Sequence, residues 1–500
     1  MRYFAGIDIG TTHTKLVLVD ASLQPLYQFK LGYLNGQAEW LDADEILSHG
    51  LQLLALAAEQ LPQDATALAI GFSSAMHSLV LVDRNGAAFG PLQTWADNSS
   101  APALEFLQKN ETAPALFRET GTPLHPMSPF CKLAWKKIFQ PEALAAADKA
   151  VGIKEYIWHR LTGHWEIDHS IASATGLFSL RQRKWITAAL ELAGVRADQL
   201  SRPVPVTHNR ILRQELIPGF EQRAIAVELV IGGSDGCLAQ VGSGIISPGS
   251  AALTIGTSGA IRCTLQHPWI DEKKELFTYI LDESLFVTGG AINNGGMALQ
   301  WLQASVMGGS YEPGAVLQSF DQAAAEIAPG AEGLVCLPWF QGERAPVWNA
   351  DASGIYAGIR SHHHQAHFKR ALLEGICFSF RQLLEKLEAA AGPVGQVVVS
   401  GGFTASPAWL QMMADILRRP LRLPAEGLDA SALGAIALAM KAAGEPGPAQ
   451  KNTGDPRPWH AFLQKLPAAA AVYTPDTQFT ATYSANYSRF LQLCRFSSSF

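Results

Sequence analysis

Paired cysteines are missing from this sequence: its six, at 131, 237, 263, 336, 377 and 494, stand singly, with no CxxC spacing. Neither a zinc site nor a disulfide framework is indicated, and a reducing compartment is the natural setting. Charge is also scarce. Asp, Glu, Lys and Arg make up 16% of the residues, the net charge is −6, and no basic block occurs. The composition therefore gives no support for nucleic acid or an anionic membrane as partner. No apolar run reaches the roughly 18 residues of a membrane span, and the strand-like run from Tyr3 already contains Asp8, unlike a secretory signal. A soluble cytoplasmic protein is the expectation.

What is present is the balance of a compact α/β enzyme: 48% hydrophobic residues, 44 Gly and 28 Pro. At 500 residues the chain exceeds one ordinary core, so two domains are expected. Phe4 to Ile9 and Lys15 to Val19 read as strands joined by a turn, a hairpin. The period from Leu41 to Glu59 is helical, and Ala67 to Phe72 and Ser78 to Asp83 return to strand. Later, Val397 to Ser400 reads as a buried strand entering Gly401, Gly402 and a helix. That helix has Ser406 as N-cap, Pro407 in its first turn and Pro420 beyond its end.

The first hairpin turn, IDIGTTHTK from Ile7 to Lys15, has the glycine, hydroxyls and lysine of a phosphate loop but not its Gly-Lys-Ser/Thr ending. Its echo lies in the second half: Asp8, Ile9, Gly10, Thr11, Thr12 is matched by Thr254, Ile255, Gly256, Thr257, Ser258. Two hairpins of one design imply two related domains facing each other, with a seam near Gly244 to Gly249. The division expected is 1–245, 246–455 and a C-terminal extension, 456–500, with a final helix. A glycine at each tip removes the Cβ that would hold an oxyanion at a distance, and hydroxyls and amides beside it donate to phosphate oxygens. Two such tips across a cleft could clamp a triphosphate. Only the first copy carries a carboxylate, Asp8, so a Mg²⁺ ion, which prefers oxygen ligands, is expected on that side.

A second constellation is GGSDGCL, Gly232 to Leu238, in which Ser234 can cap a helix whose first turn contains Asp235. A helix N-terminus favours an ionised carboxylate, as proton acceptance from a hydroxyl requires. The motif alone fits a structural Asp in a glycine turn equally well. Loops carrying His77, Trp95, Asp97, His125 and Lys132 suit a polyhydroxylated ligand, although a lone His or Trp is often core.

In order along nearly the whole chain, the stretches IDIGTT, SSAMHS, TWADN, GTPLHPMSPFCK, GIKEYI, SIASATG, GGSDG, TIGTSG, NNGG, GERAPVWN and ALLEG to SGGF resemble the FGGY carbohydrate kinases. Within that family the sequence is most similar to gluconate kinases. The resemblance implies an α/β fold of two actin-like ATPase (ribonuclease H-like) domains with a cleft between them, and ATP and Mg²⁺ as cofactors. It assigns Asp235 as general base and Asp8 to the metal. It places Thr11, Thr12, Gly256, Thr257, Gly296 and Gly402 near ATP, and Met76, His77, Trp95, Asp97 and Asp235 near the sugar. The activity implied is transfer of the γ-phosphoryl group to a terminal hydroxyl, with D-gluconate the expected acceptor. The alternatives are a xylulose or other pentulose/polyol kinase and, in a different class, a non-catalytic ATP-binding sugar sensor. A homodimer is compatible with the family.

Two departures stand out. Lys136 occupies a usually apolar position of the first family signature, and Ser99 stands where the tryptophan motif commonly has an arginine. An arginine can grip a carboxylate bidentately and a serine cannot. The candidate substitutes are His77, His125, Lys132 and Lys154. Arg344 is expected to buttress the domain interface. His362, His363, His364 and His367, with no neighbouring carboxylate or cysteine in sequence, read as a solvated helix entry. Phe490 to Phe500 reads as a last helix and tail.

Overall fold

The computed structural model describes every residue except 35, 38, 310, 311, 426, 445–458, 460, 461, 467 and 498–500. Two large sheets organise it. In the first the spatial order is Asn209–Ile211, Ala226–Ser234, Ala67–Ser74, Arg2–Ile9, His13–Val19 and Pro25–Gly32. In the second it is Phe277–Ile280, Phe286–Ile292, Gly259–Leu265, Ser250–Ile255, Gln396–Ser400, Leu421–Pro424 and Ala469–Tyr473.

The repeat seen in the hairpins extends through both sheets. Arg2–Ile9 runs antiparallel to His13–Val19 and parallel to Ala67–Ser74. Ser250–Ile255 likewise runs antiparallel to Gly259–Leu265 and parallel to Gln396–Ser400. A second parallel strand follows in each, Ala226–Ser234 in the first and Leu421–Pro424 in the second. Even the registers agree: Asp8 lies opposite Ser73 and Thr254 opposite Ser400. Parallel strands must be covered on both faces, and seven of the eight residues of Arg2–Ile9 are buried.

Local signals fixed several elements. The helix expected from Leu41 is Ala43–Gln60, capped by Asp42, whose carboxylate accepts from the Asp44 and Glu45 amides, while Leu41 itself pairs in a short strand. Ser406 caps Pro407–Leu417 by accepting from the Trp409 amide at 3.0 Å. All six cysteines are free and buried. The final helix is Thr480–Ser497, longer than expected, and lays Tyr483, Tyr487 and Phe490 around Phe378. Residues 456–458 of the expected extension and 498–500 of the tail lie outside the described residues. No helix among the described residues is long and apolar enough to cross a membrane.

Helix Ala430–Ala442 leaves the second half to pack on Arg2–Ile9, Ala67–Ser74 and Asp235–Gly242. Glycines make the close approach possible. A Cβ at Gly6 would lie 2.2 Å from the Ala432 carbonyl oxygen, and one at Gly71 would lie 2.0 Å from that of Ala435. Because backbone on both sides blocks relief, Gly71→Ala is expected to destabilise by roughly 3 kcal/mol, at the upper end of overpacking effects. A melting temperature equal to that of the unsubstituted protein would refute this.

Candidate active site

The first hairpin tip, Gly10 to Thr12, and the second, Gly256 to Ser258, each follow a buried strand. Ser73 Oγ donates to Asp8 Oδ1 at 2.7 Å, and at the matching position Thr254 Oγ1 and Ser400 Oγ share a hydrogen bond of 2.8 Å. The two jaws therefore differ in one chemical respect, a carboxylate against a hydroxyl. Thr11 is half-buried and Thr12 exposed, with Thr12 Oγ1 bonded to His13 Nδ1 at 2.7 Å. Gly256 and Gly402 face open space, since a Cβ on either would meet nothing within 4 Å. Gly296 is glycine for another reason. Its amide donates to the Gly256 carbonyl at 2.8 Å, docking helix Gly296–Trp301 on the second tip.

Lys15 is not directed to a phosphate. Its ammonium pairs with Asp429 Oδ2 at 2.6 Å, while Asp429 Oδ1 caps the crossing helix through the Ser431 and Ala432 amides. Ser431 Oγ in turn donates to the Asp235 carbonyl at 3.3 Å. Sequence reading missed Asp429, since an Asp before a helix signals only a cap.

Asp235 opens helix Asp235–Gly242, with Ser234 Oγ accepting from the Cys237 amide. Beneath it, Lys154 Nζ donates to the Gly233 carbonyl at 2.9 Å and pairs with Asp168 at 2.6 Å, fixing the glycine turn from behind. The helix terminus alone would favour an ionised carboxylate, yet burial raises the Asp235 carboxyl above its usual range. Arg262 and the Gly236 amide oppose the rise, and Asp429 adds to it. Burial likewise pushes Asp8 to about 7, with Asp429 and Asp235 contributing repulsion. Asp8 thus has the carboxylates of Asp429 and Asp235 as charged neighbours, with the Lys15 ammonium seated on Asp429. Such a donor set fits a hard divalent cation that keeps several waters.

The sugar-side residues assemble on the loops of a smaller sheet that includes Leu79–Val82 and Ala88–Gln93. Ser99 takes a definite role there: its amide and hydroxyl donate to the two Asp97 carboxylate oxygens at 2.8 and 3.0 Å, with Gln93 Nε2 donating as well. Trp95 lies under a cation from the other half, Arg344, whose Cζ is 5.0 Å from the ring centroid. Met76 is half-buried beside Gly236, where a Cβ would sit 3.0 Å from its terminal methyl.

None of the four substitutes for the missing arginine is an available cation. Burial holds His77 and His125 neutral down to about 3. Lys132 donates to the carbonyls of His77 and Thr94, tying the two sugar-side loops together, and burial draws its ammonium down to about 7. Lys154 is paired as described. Two further cations stand beside these loops, Arg344, which is buried, and Arg262, which is half-buried. Arg344 Nη2 donates to the Ile292 carbonyl at 2.8 Å, but its Nε has no partner. The Nε of Arg262 is also buried without a partner. Arg344 does reach across to Trp95 as an interface buttress would, with its Nε left over. Arg262 was missed altogether, although a lone arginine in the apolar strand Gly259–Leu265 was a readable signal.

The histidine group does have a carboxylate neighbour: Glu332 Oε2 lies 3.1 Å from His362 Nε2. It arrives through a left-handed bend at Ala331 and Glu332, which sequence spacing does not reveal. The Nδ1 atoms of His363 and His367 accept from the Arg360 and His364 amides, which leaves the proton of each neutral ring on Nε2. Neither Nε2 has a hydrogen-bond partner, His367 Nε2 lying 3.7 Å from Glu332 Oε2, and Glu332, His362 and His363 bring their ligand atoms within 4.8 Å of one another.

The N-terminal domain of the FGGY family of carbohydrate kinases matches residues 3–242, and its C-terminal domain matches residues 251–443. A gluconokinase of Bacillus subtilis is 37% identical over 456 residues, spanning 89% of this chain and 88% of its own. Two Lactobacillus acidophilus structures, a gluconate kinase and a ligand-bound xylulose kinase, each superpose with a TM-score of 0.89 at 28% identity. Each match covers 100% of this chain and 99% of the other. Hairpins, carboxylates and family match agree, and the chain belongs to the FGGY family of carbohydrate kinases.

Proposed function

We propose that this kinase transfers the γ-phosphoryl group of ATP to the terminal hydroxyl of D-gluconate, giving 6-phosphogluconate. The observation that carries the chemistry is Asp235, half-buried at a helix start beside Asp8 and Asp429, with its carboxyl raised above its usual range by burial. A carboxyl raised above its usual range is a stronger proton acceptor than an ordinary carboxylate. The likeness to gluconokinase over nine-tenths of the chain supports a sugar acid as acceptor.

In this reading Asp235 accepts the proton from the attacking hydroxyl. The tips at Thr11, Thr12, Gly256 and Thr257 cradle the phosphates, with Gly402 leaving room for the nucleotide. Asp8, with Asp235 and Asp429 near it, would hold Mg²⁺, which supplies charge neutralisation at the phosphate oxygens. Trp95 offers an aromatic face to the carbon chain, and Asp97, held by Ser99 and Gln93, accepts from a substrate hydroxyl. The neutral ring of His125 has a buried Nε2 with no partner, a donor for another hydroxyl. Positioning and electrostatic stabilisation carry most of phosphoryl transfer, and closing the halves excludes water as a competing acceptor.

ADP release measured across gluconate, xylulose and glycerol tests the assignment, with gluconate expected to give the highest kcat/KM. A preference for xylulose would move the assignment to the pentulose kinases. A panel in which no acceptor exceeds the ATP-only background would leave a nucleotide-dependent sensor.

A further inference from the structure

Buried guanidinium groups are expensive unless an anion meets them, because removing one partner of a buried pair leaves an uncompensated charge. Arg344 is buried in that way, and Arg262 is half-buried with its Nε enclosed. Arg262 makes no hydrogen bond through its guanidinium to any described residue, and its Nε is sealed from solvent. Arg344 has one backbone acceptor and a tryptophan face, with its own Nε unpartnered. Arg344 is also disfavoured by the charge of Arg262. Nearby anions do not neutralise them by contact. Asp235 is hydrogen-bonded to the Gly236 amide and Glu343 to the Asn293 and Arg344 amides.

Their placement ties them to the acceptor site. Arg262 comes from the strand leaving the second phosphate hairpin, and its Nε and Nη2 lie 3.1 Å from where a Gly236 Cβ would stand, directly beside the base. A side chain at 236 would occupy that space, so the glycine admits the guanidinium to the acceptor pocket. Arg344 approaches from the same half over Trp95. Tyr279, whose hydroxyl is buried and unpartnered, completes the wall next to His77.

We propose that Arg262, with Arg344, forms a receptor for the carboxylate of the sugar-acid substrate, and that Arg262 is the residue that selects an acid over a neutral sugar. This rests on the gluconate kinase reading above. It explains how Ser99 is tolerated: the cation missing from the tryptophan loop is supplied by the strand after the second hairpin. The competing role for Arg262, contact with the transferring phosphoryl group, makes a different prediction, since every acceptor shares that group.

The test is steady-state kinetics of the full chain with ATP and Mg²⁺, comparing D-gluconate with D-gluconamide, which differs only in the charge at C1. For the unsubstituted protein the KM for gluconamide is expected to be about 100-fold higher, typical of losing one partner of a desolvated charge pair. In Arg262→Gln the KM for gluconate rises by a similar factor and the two values converge. Arg262→Lys restores part of the difference. Equal losses on both acceptors would overturn the proposal in favour of a phosphoryl contact. An unchanged gluconate KM would overturn it outright. If the glutamine variant does not fold, the gluconate-to-gluconamide ratio of the unsubstituted protein and the lysine variant decide, a ratio near one being fatal. Failure of the gluconate reading shows separately, as an unsubstituted enzyme that phosphorylates neither compound, and that also removes the proposal.

Discussion

Asp235→Ala is expected to lose about 10³-fold in kcat on the sugar acceptor, within the range that positioned general bases contribute. ATP affinity, measured by calorimetry without acceptor, should be nearly unchanged, because the phosphate tips and Gly402 do not depend on that carboxylate. The same carboxylate sets the acid side of the pH profile. Its pKa is raised above 3.8 by burial, so the ionised base is depleted as pH falls through that raised value, and kcat/KM falls tenfold per unit below it. His77 and His125, neutral down to about 3, add no limb between pH 4 and 8. In Asp235→Asn the acid limb attributed to the base should vanish together with most of the rate. Phosphotransfer at the unsubstituted rate by the alanine variant would exclude Asp235 as the base.

The parts of this site legible in sequence are those written in local chemistry. A glycine tip between alternating strands, a serine before a helix, and the near-duplicate of IDIGTT at TIGTSG needed no tertiary information. What stayed hidden depends on distant partners. Lys15 looked like a phosphate lysine until its partner, Asp429, came from the opposite half of the chain. The helix terminus correctly predicted a capped Asp235, but burial outweighed the local field and moved its pKa the other way. Lys132 and Lys154 had the right charge for a substrate carboxylate, yet carbonyls and Asp168 already hold them. Arg262 belongs to no motif, and its lone charge in an apolar strand gains meaning only from the unpartnered Nε that three dimensions reveal.

Asp8→Asn is expected to separate stability from activity in opposite directions. Asp8 is 6% exposed, and burial together with Asp429 and Asp235 raises its carboxyl from 3.8 to about 7. A folded-state pKa above the unfolded value means that ionisation destabilises the fold. The penalty is absent below 3.8, grows as pH rises, and is complete above about 7. At about 1.36 kcal/mol per unit, its upper bound is on the order of 4 kcal/mol. An asparagine removes the charge while its side-chain oxygen can still accept from Ser73. Without divalent cation, the variant should therefore melt several degrees higher at pH 8 and match the unsubstituted protein at pH 4. Catalysis should move the opposite way, with kcat reduced by roughly 10²-fold or more at fixed Mg²⁺, since a neutral amide oxygen is a poorer ligand for a hard cation than a carboxylate. A thermal gain that is the same at both pH values would show that packing and not charge is responsible. Undiminished Mg²⁺-dependent transfer would remove Asp8 from the metal. On the proposed reading this carboxylate sits at a destabilising position in order to hold the cation, a task for which the matching hydroxyl on the other jaw, Thr254, lacks the charge.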